Sequence, residues 1–154
     1  MSSKPVAKAA SKPPARPPRK RILWVDDDLF SCTSYKQELE TLCRIDVANS
    51  PEEMWNLLKE NGPDYYSGII LDILLPFKGL DPNKVEEGLR TGLTLLGILR
   101  APQSEFAGIP VIIFTIRENE DCDRVGEEYG VLVFRKSEVR MGEFIEAAKE
   151  RFRL

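Results

Sequence analysis

Five polar side chains follow short apolar runs of the sequence, at the points where buried strands would end. They are Asp26, Asp27, Asp72, Thr115 and Lys136. Carboxylates gathered in one low-dielectric cleft repel each other, so they need a cation to stay ionised. Because the protein has no histidine, its oxygen ligands favour Mg²⁺, a hard octahedral ion that keeps some of its waters. The sequence therefore predicts a magnesium site with room for a phosphoryl group.

The remaining groups have a chemical use beside such an ion. An amine and a metal together neutralise an incoming phosphoryl group, and a threonine hydroxyl can donate a hydrogen bond to it. Asp72 could then act as a carboxylate nucleophile that forms an acyl phosphate. Each residue alone is a weak signal, since acidic runs after strands are usually solvated turns. The conjunction, in order and at strand ends, is a strong one.

The apolar runs predict the elements that would position these side chains. Mostly β-branched or aromatic, they read as five buried strands: Ile22–Val25, Ile45–Val47, Ile69–Leu71, Val111–Phe114 and Val131–Phe134. Amphipathic stretches alternate with them and predict five helices, within Leu29–Leu42, Pro51–Asn61, Leu93–Arg100, Asp121–Tyr129 and a last stretch marked by Phe144, Ala148 and Phe152. The second of these helices opens with the capping box Ser50–Glu53.

This alternation predicts an α/β fold, a doubly wound five-stranded parallel sheet with helices on both faces. In such a sheet functional groups gather beyond the carboxyl ends of the strands. We therefore expect the five polar side chains to converge at one edge.

Charge divides the 154 residues into a basic tail and an acidic body. Residues 1–21 hold seven of the 22 basic residues, five of the 11 prolines and no acid, which leaves 15 basic against 25 acidic residues in the body. This composition predicts a disordered tail over residues 1–20 and a folded domain over residues 21–154. The acidic body argues against nucleic-acid binding by the domain itself.

The sequence gives no sign of export or of a membrane partner. It has no apolar stretch of 18 residues and no signal-peptide pattern. Cys32, Cys43 and Cys122 are odd in number and widely spaced, which favours reduced thiols over a disulfide frame. We therefore expect a cytoplasmic protein.

The stretches ILWVDDD, IILDILLP, VIIFT and FRKS together resemble the CheY-like receiver domain of two-component response regulators, over about residues 21–153. The resemblance implies a flavodoxin-like receiver fold in which Asp72 accepts a phosphoryl group, while Thr115 and Lys136 contact that group. It also implies that Mg²⁺ is bound at the positions Asp26, Asp27, Asp72 and Leu74, with Asp27 the more direct ligand of the acidic pair.

The resemblance further implies the partners and the reaction. A histidine kinase, a phosphotransfer protein or a small phosphodonor would supply the phosphoryl group, and a downstream protein would read the modified domain. The chain would catalyse its own aspartyl phosphorylation and slow dephosphorylation, which is not the turnover of a classical enzyme. A phosphohydrolase would need an acid two residues after Asp72, where Leu74 stands.

The chain departs from the family pattern close to the site, which keeps a second interpretation open. An insertion covers about residues 77–92, after Pro76 in the family's loop position. Ile116 stands where the family favours a small side chain, and Val133 where it commonly has an aromatic; Phe134 is predicted on the opposite face of its strand. The alternative is a receiver-fold protein-interaction module with little or no dependence on phosphorylation.

Overall fold

The computed structural model describes residues 18–75, 91–116 and 120–154, with the side chains of residues 120 and 121 left aside. Within these ranges five strands form one parallel sheet: β1 Arg21–Val25, β2 Arg44–Ala48, β3 Gly68–Leu71, β4 Val111–Thr115 and β5 Leu132–Arg135. Their order is β2-β1-β3-β4-β5, and every neighbouring pair is parallel. The predicted doubly wound α/β fold is confirmed.

The described ranges also hold five α-helices, four between successive strands and one after β5: α1 Thr33–Glu40, α2 Pro51–Asn61, α3 Thr91–Leu99, α4 Glu120–Tyr129 and α5 Met141–Phe152. The predicted first helix begins later than expected, because Leu29–Cys32 forms a 3₁₀ turn. The Ser31 and Thr33 hydroxyls donate to the carbonyls of Asp28 and Phe30, at 2.9 and 2.8 Å. Such bonds compete with the regular helix ladder.

The capping box that opens α2 is confirmed with one difference. The Ser50 Oγ accepts from the backbone N–H of Glu53 at 3.2 Å, as expected. The Glu53 carboxylate accepts from the backbone N–H of Asn49 at 2.6 Å, one residue before the cap. The box still satisfies two donors at the helix entrance.

The sheet has a core on each face. Residues of α2, α3 and α4 pack on one face, with Met54, Leu58 and Leu95 fully buried. Residues of α1 and α5 pack on the other, where the rings of Phe114 and Phe144 stack with centroids 4.4 Å apart. Apolar side chains thus cover both faces of the sheet. Polar groups lie at the amino and carboxyl ends of the strands, here called the amino edge and the carboxyl edge.

Several expectations concern residues at or beyond the limits of the described ranges. The predicted tail, apart from residues 18–20, lies outside them, as does the predicted insertion apart from Thr91 and Gly92, which begin α3. Cys32, Cys43 and Cys122 are buried free thiols. In the part of the chain that the structure describes, no helix has the length and apolarity needed to cross a membrane.

Candidate functional site

Backbone hydrogen bonds extend the sheet by one residue beyond its strands and so position the site. The N–H of Asp26 donates to the carbonyl of Ala48 at 3.0 Å, and the N–H of Asp72 donates to that of Val25 at 2.9 Å. At the other side of the site the N–H of Lys136 donates to the carbonyl of Thr115 at 2.8 Å. The polar side chains therefore start from a rigid ladder rather than from loose loops.

Three carboxylates meet at this carboxyl edge. Asp26, Asp27 and Asp72 each offer an oxygen, and these oxygens lie within 4.8 Å of one another. Asp26 is fully buried and Asp72 is 3% exposed, whereas Asp27 is open to solvent. Asp28 is exposed, and its backbone N–H donates to Asp26 Oδ1 at 2.8 Å.

Lys136 brings one positive charge to the cluster. Its Nζ donates to Asp26 Oδ2 at 2.8 Å and to Asp72 Oδ2 at 3.2 Å, and its side chain is only 9% exposed. Burial by itself would lower the pKa of Lys136, but the Asp26 hydrogen bond and the Asp72 charge outweigh burial and raise it. The amine therefore stays an ammonium ion.

One ammonium does not balance three carboxylates. Burial raises the pKa of Asp72 to about 6, although Lys136 and the Leu74 N–H, which donates to Asp72 Oδ1 at 3.0 Å, act in the opposite direction. Burial and the neighbouring Asp26 charge also raise the pKa of Asp27. Among the residues that the structure describes, the site therefore holds more negative charge than its side chains neutralise.

This imbalance and the donor set fit a hard divalent cation. Three carboxylates with no nitrogen or sulfur ligand among the predicted positions are suited to Mg²⁺. Leu74 can contribute only its backbone carbonyl, and its observed contact is the N–H bond to Asp72. The metal positions, Leu74 included, stay predictions.

Thr115 ends β4 as a fully buried residue, and Ile116 directly after it is 61% exposed. Val133 stands where receivers commonly have an aromatic, and Phe134 follows it. As predicted, the two side chains lie on opposite faces of the sheet. Val133 packs in the core under α4, whereas Phe134 packs against Phe144, with their ring centroids 5.9 Å apart. The described part of β5 thus puts no ring on the face that Thr115 shares with α4.

Sequence analysis did not identify three neighbours of the site. Cys32 Sγ lies 3.9 Å from Asp26 Oδ2, and Arg135 forms an ion pair with Asp123 at 3.3 Å. Gly92 packs so closely that a Cβ there would lie 2.4 Å from the Asp72 carbonyl oxygen. None of these residues belongs to a periodic pattern in the sequence. The one available signal was Gly92, a glycine next to the predicted start of the third helix.

No protein-family model matches the sequence, and no curated protein matches it. Solved structures do match. A signal receiver domain of a DNA-binding response regulator from Colwellia psychrerythraea is 19% identical, with a TM-score of 0.65 over 88% of this chain and 99% of that one. The chain has the receiver fold.

Two further receivers support this conclusion. A CheY-like receiver domain protein from Methanospirillum hungatei is 23% identical, with a TM-score of 0.61 over 87% of this chain and 94% of that one. The HemR receiver domain from Leptospira biflexa is 20% identical, with a TM-score of 0.63 over 88% of this chain and 95% of that one. At these identities the likeness shows the fold of the receiver and not its activity.

Proposed function

We propose that this receiver accepts a phosphoryl group on Asp72 and signals through protein contacts in a two-component pathway. The observation that carries the proposal is the setting of Asp72, a buried carboxylate 3.2 Å from the Lys136 ammonium inside a cluster of three acids. A buried excess of negative charge costs folding free energy. Such costly arrangements are typical of functional sites, which supports a function for this cluster.

The chain's own residues divide the work of phosphoryl transfer. An Asp72 oxygen attacks phosphorus, the new O–P bond replaces the bond from phosphorus to the donor, and the leaving group departs with that electron pair. Lys136 neutralises charge on the phosphoryl oxygens, and the Thr115 hydroxyl donates a hydrogen bond to one of them. The Leu74 N–H keeps the Asp72 carboxylate oriented through its 3.0 Å bond to Oδ1.

Asp26, Asp27, Asp72 and the Leu74 carbonyl would hold Mg²⁺. When bound, the ion neutralises carboxylate and phosphoryl charge and so allows two anionic groups to approach. Asp26 is already bonded to Lys136 and to the Asp28 N–H, whereas Asp27 is exposed. Asp27 is therefore the carboxylate with most freedom to turn toward the ion.

Two exposed apolar side chains next to the site suit a protein phosphodonor. Phe30 is 93% exposed in the turn after the acidic pair, and Ile116 is 61% exposed after Thr115. A histidine kinase or phosphotransfer protein that brings its phosphohistidine to Asp72 would cover both. Such a partner, together with the buried free thiols, fits a cytoplasmic protein.

A second candidate function is the interaction module without phosphorylation. The observation in its favour is Ile116, a large side chain that is 61% exposed at a position where the family favours a small one. The complete set of acidic, threonine and lysine positions favours the first candidate.

Intact-mass measurement after incubation with acetyl phosphate separates the two. We expect one added phosphoryl group on the wild type with Mg²⁺ and none after chelation. Asp72→Asn should abolish the addition, and Asp28→Asn, the matched change at the exposed neighbour of the cluster, should leave it. Labelling of Asp72→Asn would contradict the assignment, and an unlabelled wild type would favour the interaction module.

A further inference from the structure

Arg135 connects the strand position beside Thr115 to helix α4. In the parallel register of β4 and β5, Arg135 is the direct partner of Thr115, so the two side chains leave the same face of the sheet. α4 covers that face, and its residues Cys122 and Val125 belong to the hydrophobic core between the helix and the sheet. Arg135 thus lies between the candidate phosphoryl contact and the helix.

Among the contacts between α4 and β5, two differ in kind. A Cβ on Gly126 would lie 2.9 Å from Val133 Cγ2, so the helix rests directly on the valine with no room for a larger side chain. One turn earlier, Asp123 Oδ2 pairs with Arg135 Nη2 at 3.3 Å. The first contact is apolar packing away from the edge, and the second is a charge contact beside the edge.

The ion pair is the contact that a new charge can weaken. Arg135 and Asp123 side chains are 27% and 60% exposed, and exposed pairs of this kind hold weakly. Arg135 also has a second acid, Glu138, at 3.8 Å, and its Nε is buried without a hydrogen-bond partner among the described residues. Its guanidinium therefore has donor capacity that the present arrangement leaves unused.

We propose that Arg135 couples phosphorylation of Asp72 to helix α4. Phosphorylation replaces the single negative charge of the Asp72 carboxylate with about two on the acyl phosphate, a net gain of about one, at the edge where Arg135 precedes Lys136. These charges draw the guanidinium from Asp123 toward the modified edge, and the first turn of α4 loosens because its charge contact is lost. The inference rests on the proposed function, since it requires a phosphoryl group at Asp72.

In this scheme the charged side chain of Arg135 transmits the change, and no aromatic side chain at position 133 is needed. Val133 offers no ring to rotate, and the close approach of Gly126 leaves no space for one. Arg135 is a positioning residue in this scheme, because it acts on α4 and takes no part in the transfer itself.

Hydrogen exchange of α4 peptides in the full chain tests the coupling, with Mg²⁺ present and with or without beryllofluoride as the phosphoryl mimic. We expect the mimic to speed exchange in wild-type α4 by about fivefold. Asp123→Asn and Arg135→Gln should exchange at the faster rate already, so that the mimic changes them by less than about twofold. Arg135→Lys, which keeps the charge, should recover part of the response.

Glu127→Gln is the matched control, an exposed acid on the same helix, and should respond like the wild type. Intact mass after acetyl phosphate treatment, measured on every variant, keeps the two proposals apart. Labelled proteins in which both ion-pair variants retain the full α4 response would overturn the coupling alone. A wild type that takes no phosphoryl group would overturn the proposed function, and the coupling with it.

Discussion

The two edges of the sheet differ in how their charges are balanced. At the amino edge, Arg21, the first residue of β1, pairs at 2.6 Å with Asp46 from the middle of β2, and the Tyr66 hydroxyl donates to the other Asp46 oxygen at 2.8 Å. At the carboxyl edge, three carboxylates meet, and the Lys136 ammonium pairs with two of them, Asp26 and Asp72. One edge matches its charges, and the other keeps an excess.

The pKa shifts record the same contrast. The Asp46 hydrogen bond raises the pKa of Arg21, which is the sign of a stable pair. Burial raises the pKa of Asp72 to about 6, which is the sign of a carboxylate whose ionised form is poorly compensated. The ion pair at the amino edge thus favours the charged forms of its partners, whereas burial at the carboxyl edge disfavours the ionised form of Asp72.

Replacing the positively charged side chain should therefore lower the unfolding free energy far more at the carboxyl edge than at the amino edge. Lys136→Met leaves Asp26 and Asp72 buried without a counter-charge, so we expect a loss of about 3–5 kcal/mol of unfolding free energy at pH 7.5. Arg21→Met, the matched change at the amino edge, should cost about 1 kcal/mol because that pair is partly exposed. Urea unfolding measures both; equal losses would remove the contrast.

Removing the charge of one carboxylate should change the unfolding free energy in opposite directions at the two edges. Asp72→Asn should stabilise the metal-free protein by about 1–3 kcal/mol at pH 7.5, because it removes a charge that burial disfavours. Asp46→Asn should destabilise by about 1–2 kcal/mol, because it breaks a matched pair.

The pH dependence gives the control for this prediction. The folded-state pKa of Asp72 lies above the unfolded value, so the ionised group costs stability above about pH 6, and this cost disappears as the pH falls toward 4. The advantage of Asp72→Asn should disappear over the same range. An advantage that is constant from pH 4 to pH 8, about the span of the titration, would assign it to packing.

The smallest effect expected is at the amino edge. Tyr66→Phe removes one hydrogen bond to a charged acceptor and should cost about 1 kcal/mol. Tyr65→Phe is the matched control, since Tyr65 is 41% exposed, and should cost almost nothing. Thermal unfolding of the two variants, compared with the wild type, checks this; a neutral Tyr66→Phe would show that the amino edge is not tightly matched.

The fold could be predicted from sequence because its signals are local. Each predicted strand lies within one or two residues of an observed one, and the capping box fixed the start of α2 at Pro51. The first helix was harder. The hydroxyls of Ser31 and Thr33 divert its first turn into a 3₁₀ turn, a competition that helical spacing does not reveal.

The candidate site could be predicted only as far as strand ends determine it. Parallel topology brings Asp26, Asp72 and Lys136 together, so their convergence followed from the sheet. The contact between Arg135 and Asp123 depends on how α4 packs across β5, and no residue pattern encodes that pairing. The same holds for Cys32 beside Asp26, which pairs a turn residue with a strand end.

Magnesium binding tests most directly whether the carboxyl edge is built around an excess of negative charge. Isothermal titration calorimetry at pH 7.5 should give one saturable Mg²⁺ site in the wild type. Asp27→Asn, which removes an exposed member of the cluster, should abolish or greatly weaken it, whereas Asp46→Asn at the amino edge should leave it unchanged. A wild type without saturable binding, or equal loss in both variants, would contradict the account.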